Sequence, residues 1–243
     1  TGWVLTPDAV AQAEEEHGSL KGILVASPSN PTGVMMSSSD IKALTDDCGK
    51  NGRWFISDEI YHRIGYGKHD VTALQCSDSA IIINSFSKYY CMTGWRLGWM
   101  VLPERLVRPV ERLAQNLYIS PPTLSQIAAE AAFEATTELD RNVAAYAQNR
   151  RLLLQALPAA GLTAFAPADG AFYIYADVSE LSSDSTAFCQ RMLHETGVAA
   201  TPGADFDPRE GHRFVRFSFA GKTADIAEAA RRLQTWLPTL VSR

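Results

Sequence analysis

The segment Ser85-Phe86-Ser87-Lys88 follows an apolar run, and Arg96 comes eight positions after the lysine, in Thr93-Gly94-Trp95-Arg96-Leu97-Gly98. A lysine amine can act as a nucleophile toward an aldehyde. Two hydroxyls and a guanidinium beside it suit a phosphate: the hydroxyls donate, and the arginine can bind two oxygens at once. Alone, a Ser-x-Ser-Lys string is more often a surface turn than a site. Asp58 ends another apolar run and Tyr61 follows it in Asp58-Glu59-Ile60-Tyr61. A carboxylate at the end of a buried strand needs a cationic partner or a helix-capping role. Arg216 sits in Phe214-Val215-Arg216-Phe217-Ser218. Period two puts Phe214, Arg216 and Ser218 on one face, so the arginine calls for an anion there. Arg213 is a nearby competitor for that role.

The elements that must position these residues can be read from periodicity. Thr6-Pro7-Asp8 opens a helix with a cap and an early proline. Strands are expected at 21–26, 53–57, 80–84 and 98–102, with a helix starting near Ser37 and another at Glu104. Short continuous apolar strands alternating with helices indicate an α/β sheet buried on both faces. In open sheets of this kind, ligands bind beyond the carboxyl ends of strands, where Asp58 and Lys88 fall. Further on, helices are expected at 122–135 and 138–157, then strands near 162–166, 171–176 and 212–219, with helices near 184–196 and 222–236. That second part reads as a smaller α+β domain, giving domains 1–137 and 138–243. His62 and His69 fall in a polar loop without metal-like partners, and Tyr118 and Ser120 precede the domain change.

Composition bounds the function. The 243 residues are 46% hydrophobic and 20% charged, with net charge −5, ordinary for globular domains. No basic block points to nucleic acid, and no apolar run approaches a membrane span. Cys48, Cys76, Cys91 and Cys189 lack metal or redox spacing, as expected of reduced thiols in a cytoplasmic protein.

Asn30 lies in Ser29-Asn30-Pro31-Thr32-Gly33. With Asp58-Glu59-x-Tyr61 and Ser85-Phe86-Ser87-Lys88-x-x-x-Met92-Thr93-Gly94-Trp95-Arg96, it resembles the ordered motif set of fold type I pyridoxal-phosphate enzymes, specifically the class I/II aminotransferase family. The resemblance implies a three-layer α/β/α large domain, present in part, and a small C-terminal domain. It implies pyridoxal 5′-phosphate as cofactor and Lys88 as Schiff-base lysine and proton carrier. Asp58 would pair with the ring nitrogen, while Tyr61 and Asn30 would bond the ring's phenolic oxygen. Ser85, Ser87 and Arg96 would hold the phosphate. Arg216, with Asn30, would bind the substrate carboxylate, and the Asn30–Pro31 bond would be cis. No metal is implied. The substrates would be an amino acid and a 2-oxo acid, and the assembly a homodimer. A carbon–sulfur lyase and the sensor domain of a transcription regulator remain open on the same motifs. Lys88 also comes too early for this family, so the sequence reads as a C-terminal portion whose incomplete sheet should expose apolar faces.

Overall fold

The structure is a computed structural model that describes residues 2–241. The chain divides into two compact units, one of residues 1–29 and 35–140, the other of residues 30–34 and 141–243.

The first unit contains α1 (Pro7–His17), β1 (Gly22–Ala26), α2 (Ser38–Asn51), β2 (Trp54–Asp58), β3 (Ile81–Ser85), β4 (Gly98–Val101), α3 (Glu104–Leu117) and α4 (Thr123–Ala132). The sheet order is β1-β2-β3-β4. The first three strands are parallel, and β4 returns antiparallel along β3. The link of residues 86–97 between β3 and β4 holds only a short 3₁₀ turn and no α-helix, the usual crossover to a parallel neighbour, and β4 returns antiparallel. Helix α2 starts where Ser37 and Asp40 form a reciprocal capping box and stops at Gly52, whose left-handed conformation ends the helix. Its buried face, Ile41, Leu44 and Cys48, packs with Val10, Ile23, Phe55 and Ile82 into one core.

The expectation of a sheet buried on both faces is corrected. Side chains alternate along each strand. Ile23, Phe55 and Ile82 are buried on the α1–α2 side, whereas Leu24 is 64% exposed and Met100 47%. Among the described residues no helix covers that second set, so the apolar runs mark strands but only one face of them is packed.

The second unit contains β5 (Tyr173–Asp177), α6 (Ser185–Thr196), β6 (Thr201–Pro202), β7 (Phe214–Ser218), α7 (Thr223–Trp236) and α8 (Pro238–Val241), while α5 (Thr136–Ala159) contributes residues to both units. The sheet order is β5-β7-β6, all antiparallel. Ile174, Val215, Phe217 and Phe219 are buried in its core. The strand expected near 162–166 is reduced to a single bridge between Phe165 and Ala176, because the segment pairs with β5 too briefly to form a ladder. The two-residue β6 had no apolar run to announce it. Asn149 of α5 is fully buried and donates to Phe219 O at 3.0 Å and Gly221 O at 2.9 Å, which holds the end of β7. Gly33, at φ +70°, brings the segment 30–34 against this unit. A Cβ there would lie 2.8 Å from Gly170 O, too close for any side chain. No helix among the described residues is long and apolar enough to cross a membrane.

The one-sided core gives a direct comparison. Leu44→Ala, fully buried in α2, is expected to cost about 2–5 kcal/mol in urea unfolding. Leu24→Ala, on the uncovered face, is expected to change stability by no more than about 0.5 kcal/mol. Equal losses at the two sites would mean that both faces are packed.

Candidate active site

In the first unit, parallel pairing sets Ala26 opposite Asp58 and Asp58 opposite Ile83, so the three strands end side by side. Ser27 N–H donates to Asp58 O at 3.2 Å and Glu59 N–H to Ile83 O at 2.8 Å, continuing the register into the turns. Lys88 lies in the turn leaving β3. That turn is shaped by Phe86 N–H to Leu97 O, Cys91 N–H to Lys88 O and Met92 N–H to Phe86 O, at 3.1, 3.0 and 3.0 Å. It is anchored by Phe86, whose ring meets Tyr90 at 4.8 Å, Trp99 at 5.0 Å and Phe133 at 5.3 Å between centroids. The half-buried Lys88 therefore leaves a rigid aromatic base. Its Nζ stands 5.6 Å from the centre of the buried Tyr61 ring.

Asp58 Oδ1 accepts from Ile60 N–H at 3.1 Å. Burial pushes its carboxyl above the ordinary aspartate range, and the Ile60 bond, His62 and Lys88 pull the other way without cancelling it. The ionised carboxylate is thus less favourable here than in the unfolded chain.

Ser85 Oγ lies 2.9 Å from Ser87 Oγ and 3.2 Å from Leu97 O, and Ser87 N–H donates to Ser85 Oγ at 3.0 Å. Thr93 Oγ1 donates to Ser87 O at 2.6 Å, tying the two halves of the turn. Arg96, at φ +52°, is exposed, and its Nη1 donates to Thr93 O at 3.0 Å. No carboxylate among the described residues lies within ion-pair distance of it. Two hydroxyls and an uncompensated guanidinium are the donor set of an anion cradle.

In the second unit, Arg216 of β7 donates through Nη1 to Asn30 Oδ1 at 2.6 Å and through Nη2 to Thr201 Oγ1 at 3.1 Å. Its guanidinium carbon lies 4.4 Å from the Tyr173 ring centre and 4.6 Å from that of Phe206. Nε is buried without a hydrogen-bond partner, and no carboxylate among the described residues pairs with the side chain. Arg213 contrasts with it, bonding Asp177 at 2.8 Å and Glu210 at 3.1 Å. Arg213 is thus a cation paired within the fold, whereas Arg216 has neutral partners. The Asn30–Pro31 bond is cis.

The structure thus brings Asp58, Tyr61, Ser85, Ser87, Lys88 and Arg96 to one end of the first unit's sheet. It joins Asn30 to Arg216 in the second unit. Thr201, Tyr173 and Phe206, which fix the Arg216 plane, were not singled out from sequence. Their signal was the register opposite β7, which places Thr201 across from Arg216. His62, read as a loop residue, is largely buried beside Glu59, a relation visible only as an i,i+3 spacing. Tyr118, Ser120 and His69 are exposed. No cluster of metal-ligating side chains occurs among the described residues.

Comparison with other proteins identifies the chain's relatives. The family model described as aminotransferase class I and II matches residues 1–233. A valine–pyruvate aminotransferase of Mycobacterium tuberculosis is 52% identical over 224 residues, 90% of this chain and 58% of that protein. A (5-formylfuran-3-yl)methyl phosphate transaminase of Methanocaldococcus jannaschii is 34% identical over 222 residues, 89% of this chain and 58% of that protein. The crystal structure of an aminotransferase from Mycobacterium tuberculosis matches with a TM-score of 0.92 at 50% identity, covering 97% of this chain and 61% of that one. The chain therefore spans about three-fifths of the length of the relatives it matches.

Because its carboxyl is raised on folding, Asp58 contributes stability that is fully present below the ordinary aspartate pKa of about 3.9 and is lost as pH rises through the folded value. Asp58→Asn is accordingly expected to raise the thermal midpoint of the unliganded chain at pH 7, with the gain fading as pH falls toward 4. Calorimetry at the two pH values checks this; a lower midpoint at pH 7 would contradict it.

Proposed function

This chain belongs to the class I and II aminotransferase family, and we propose on that premise that it carries the lysine centre of a transfer of an amino group between an L-amino acid and a 2-oxo acid. The observation that carries this reading is the placement of the Lys88 amine among Asp58, Tyr61 and the Ser85–Ser87–Arg96 cradle. The cofactor of the family is pyridoxal 5′-phosphate, and the residues present fit it. The cradle beyond β3 suits its phosphate, the Asp58 carboxylate its ring nitrogen, and the Lys88 amine its aldehyde. When bound, that group supplies an electrophilic carbon and a ring that delocalises the electron pair released at the substrate α-carbon.

The chain's own residues then have distinct tasks. Arg96, Ser85 and Ser87 hold the phosphate dianion by charge-assisted bonds. Asp58 stays anionic against the ring nitrogen. The Tyr61 hydroxyl and Asn30 are assigned to the ring oxygen on the strength of their motifs. Lys88 Nζ takes the proton from the substrate α-carbon and returns it, a general-base role suited to a half-buried amine. Arg216, its plane held by Asn30, Thr201 and two rings, grips the α-carboxylate. Valine with pyruvate is the first pair to assay, since the relative at 52% identity carries that name. The lyase and sensor readings are not favoured by relatives named as aminotransferases. A homodimer would give cover to the exposed Leu117, Ile119, Leu124 and Ile127. The four free thiols suit a reducing cytoplasm.

Two experiments test the reading. Pyridoxal phosphate added to the purified chain is expected to produce a visible band shifted from that of the free compound, lost in Lys88→Ala. A band that survives in the variant would remove Lys88 from its role. In steady-state kinetics, Arg216→Met is expected to raise KM for the amino acid and the oxo acid by roughly 30-fold or more, as for one partner removed from a buried charged pair. Arg213→Met should leave KM where it was. Equal effects would deny Arg216 the carboxylate.

A further inference from the structure

The turns after β2 and β3 are joined by a set of contacts that the proposed chemistry does not use. Tyr61 and Arg63 share the first turn, which closes with Ile64 N–H donating to Tyr61 O at 3.1 Å. Lys88 and Tyr89 are neighbours in the second. Each turn supplies one cation and one ring, and the two pair crosswise. Lys88 Nζ stands 5.6 Å from the Tyr61 ring centre, and the Arg63 guanidinium carbon lies 4.2 Å from that of Tyr89. Both distances fall within the reach of a cation–ring attraction.

Asp140, near the start of α5, closes the Arg63–Tyr89 side. Its Oδ1 accepts from the Tyr89 hydroxyl at 2.5 Å and lies 3.6 Å from Arg63 Nη2. All of these residues belong to the first unit. Burial, together with the bond to Asp140, pushes the Tyr89 phenol well above the ordinary tyrosine range, so it stays protonated and donates. Arg63 is bent into place, with a φ of +70° that is uncommon for a residue with a side chain, and its N–H donates to Asp70 Oδ2 at 2.6 Å.

Stability alone gives little reason for this set. The Arg63 and Asp140 side chains are 44% and 62% exposed, and ion pairs so exposed contribute little. Tyr89 is 3% exposed, and a phenylalanine would fill its place without a hydroxyl that needs an acceptor. The effect of the set is geometric: it fixes the residue after Lys88 to the residue two beyond Tyr61.

We propose that Arg63, Tyr89 and Asp140 form a latch between the two turns, with Tyr89 as the positioning residue that holds the Lys88 amine at the Tyr61 ring. Its bearing on amino-group transfer rests on the role proposed above for Lys88, whereas the latch itself concerns the chain's own side chains with nothing bound.

The test is nuclear magnetic resonance of the unliganded 243-residue chain labelled with ¹³C-lysine and ¹³C-tyrosine. The Lys88 ε-methylene is assigned by its loss in Lys88→Ala and the Tyr61 ring by its loss in Tyr61→Leu. A through-space cross-peak between them is expected in the parent chain, and its absence there overturns the proposal. Arg63→Gln removes the cation over the Tyr89 ring, and Asp140→Ala removes the acceptor of the Tyr89 hydroxyl. Both change largely exposed side chains, so at least one folded variant is expected. The cross-peak should be lost in each variant that gives a dispersed, folded spectrum, and its retention in either overturns the latch. Ile41→Val, which thins the core of the same unit away from the turns, should keep the cross-peak. Loss there as well would mean that the signal follows general stability, and would overturn the positioning role. The visible band with pyridoxal phosphate separates the two readings. If the cross-peaks behave as expected but the band survives in Lys88→Ala, the latch stands and the role of Lys88 fails.

Discussion

Three parallel strands that end in one register create the geometry on which the site depends. Pairing Ala26 with Asp58 and Asp58 with Ile83 leaves no freedom in where the turns after β2 and β3 begin. Side chains leaving those turns must meet, and the ones present are a carboxylate, a tyrosine ring and an amine. The antiparallel return of β4 closes the arrangement by bringing Arg96 and the Leu97 carbonyl back beside Ser85 and Phe86. The aromatic packing of Phe86 with Tyr90, Trp99 and Phe133 then makes the lysine turn rigid, since large rings in contact leave little room for rotation. Precision at the site thus comes from hydrogen-bond register and ring packing, outside the reacting groups themselves.

Electrostatics separates the cations paired with carboxylates from those held by neutral groups. Arg53, Arg213 and Arg232 are paired with carboxylates. Arg96 and Arg216 are held instead by neutral carbonyl, amide and hydroxyl groups and by aromatic faces. Neutral partners fix the direction of a guanidinium without spending its charge, which is what an anion site requires. The corresponding tension on the acidic side is Asp58. Its burial opposes ionisation, so a charged carboxylate there is less stable than in the unfolded chain.

Much of this was legible in the chain because the information is local. The periodicity of Phe214–Ser218 put Arg216 on the less buried face of β7, as found. The apolar runs ending at Asp58 and before Lys88 located the strand ends within a residue or so. Caps at Thr6 and Ser37 marked helix starts because a side-chain oxygen there satisfies a free backbone N–H. The runs were misleading about burial. An apolar strand says that it pairs, whereas whether both faces are covered depends on helices elsewhere, and Leu24 and Met100 remain exposed. The bridge at Phe165 and the short β6 escaped for the same reason, because strand pairing is a property of two segments.

The sequence by itself determined the chemical inventory and its order, carboxylate, tyrosine, hydroxyls, amine and two arginines, each tied to a turn or strand that local propensity specifies. Tertiary structure decided which of these groups feel one another. It distinguished Arg216 from Arg213 by giving only the latter carboxylate partners. It buried Glu59 and set the partly buried His62 against it, although His62 falls in a segment that reads as polar loop. It also seated residues 30–34 with the second unit through the close approach of Gly33 to Gly170. The physical reason is that ion pairing, desolvation and steric exclusion act through space over a few ångströms, and such distances are set by packing between segments remote in the chain.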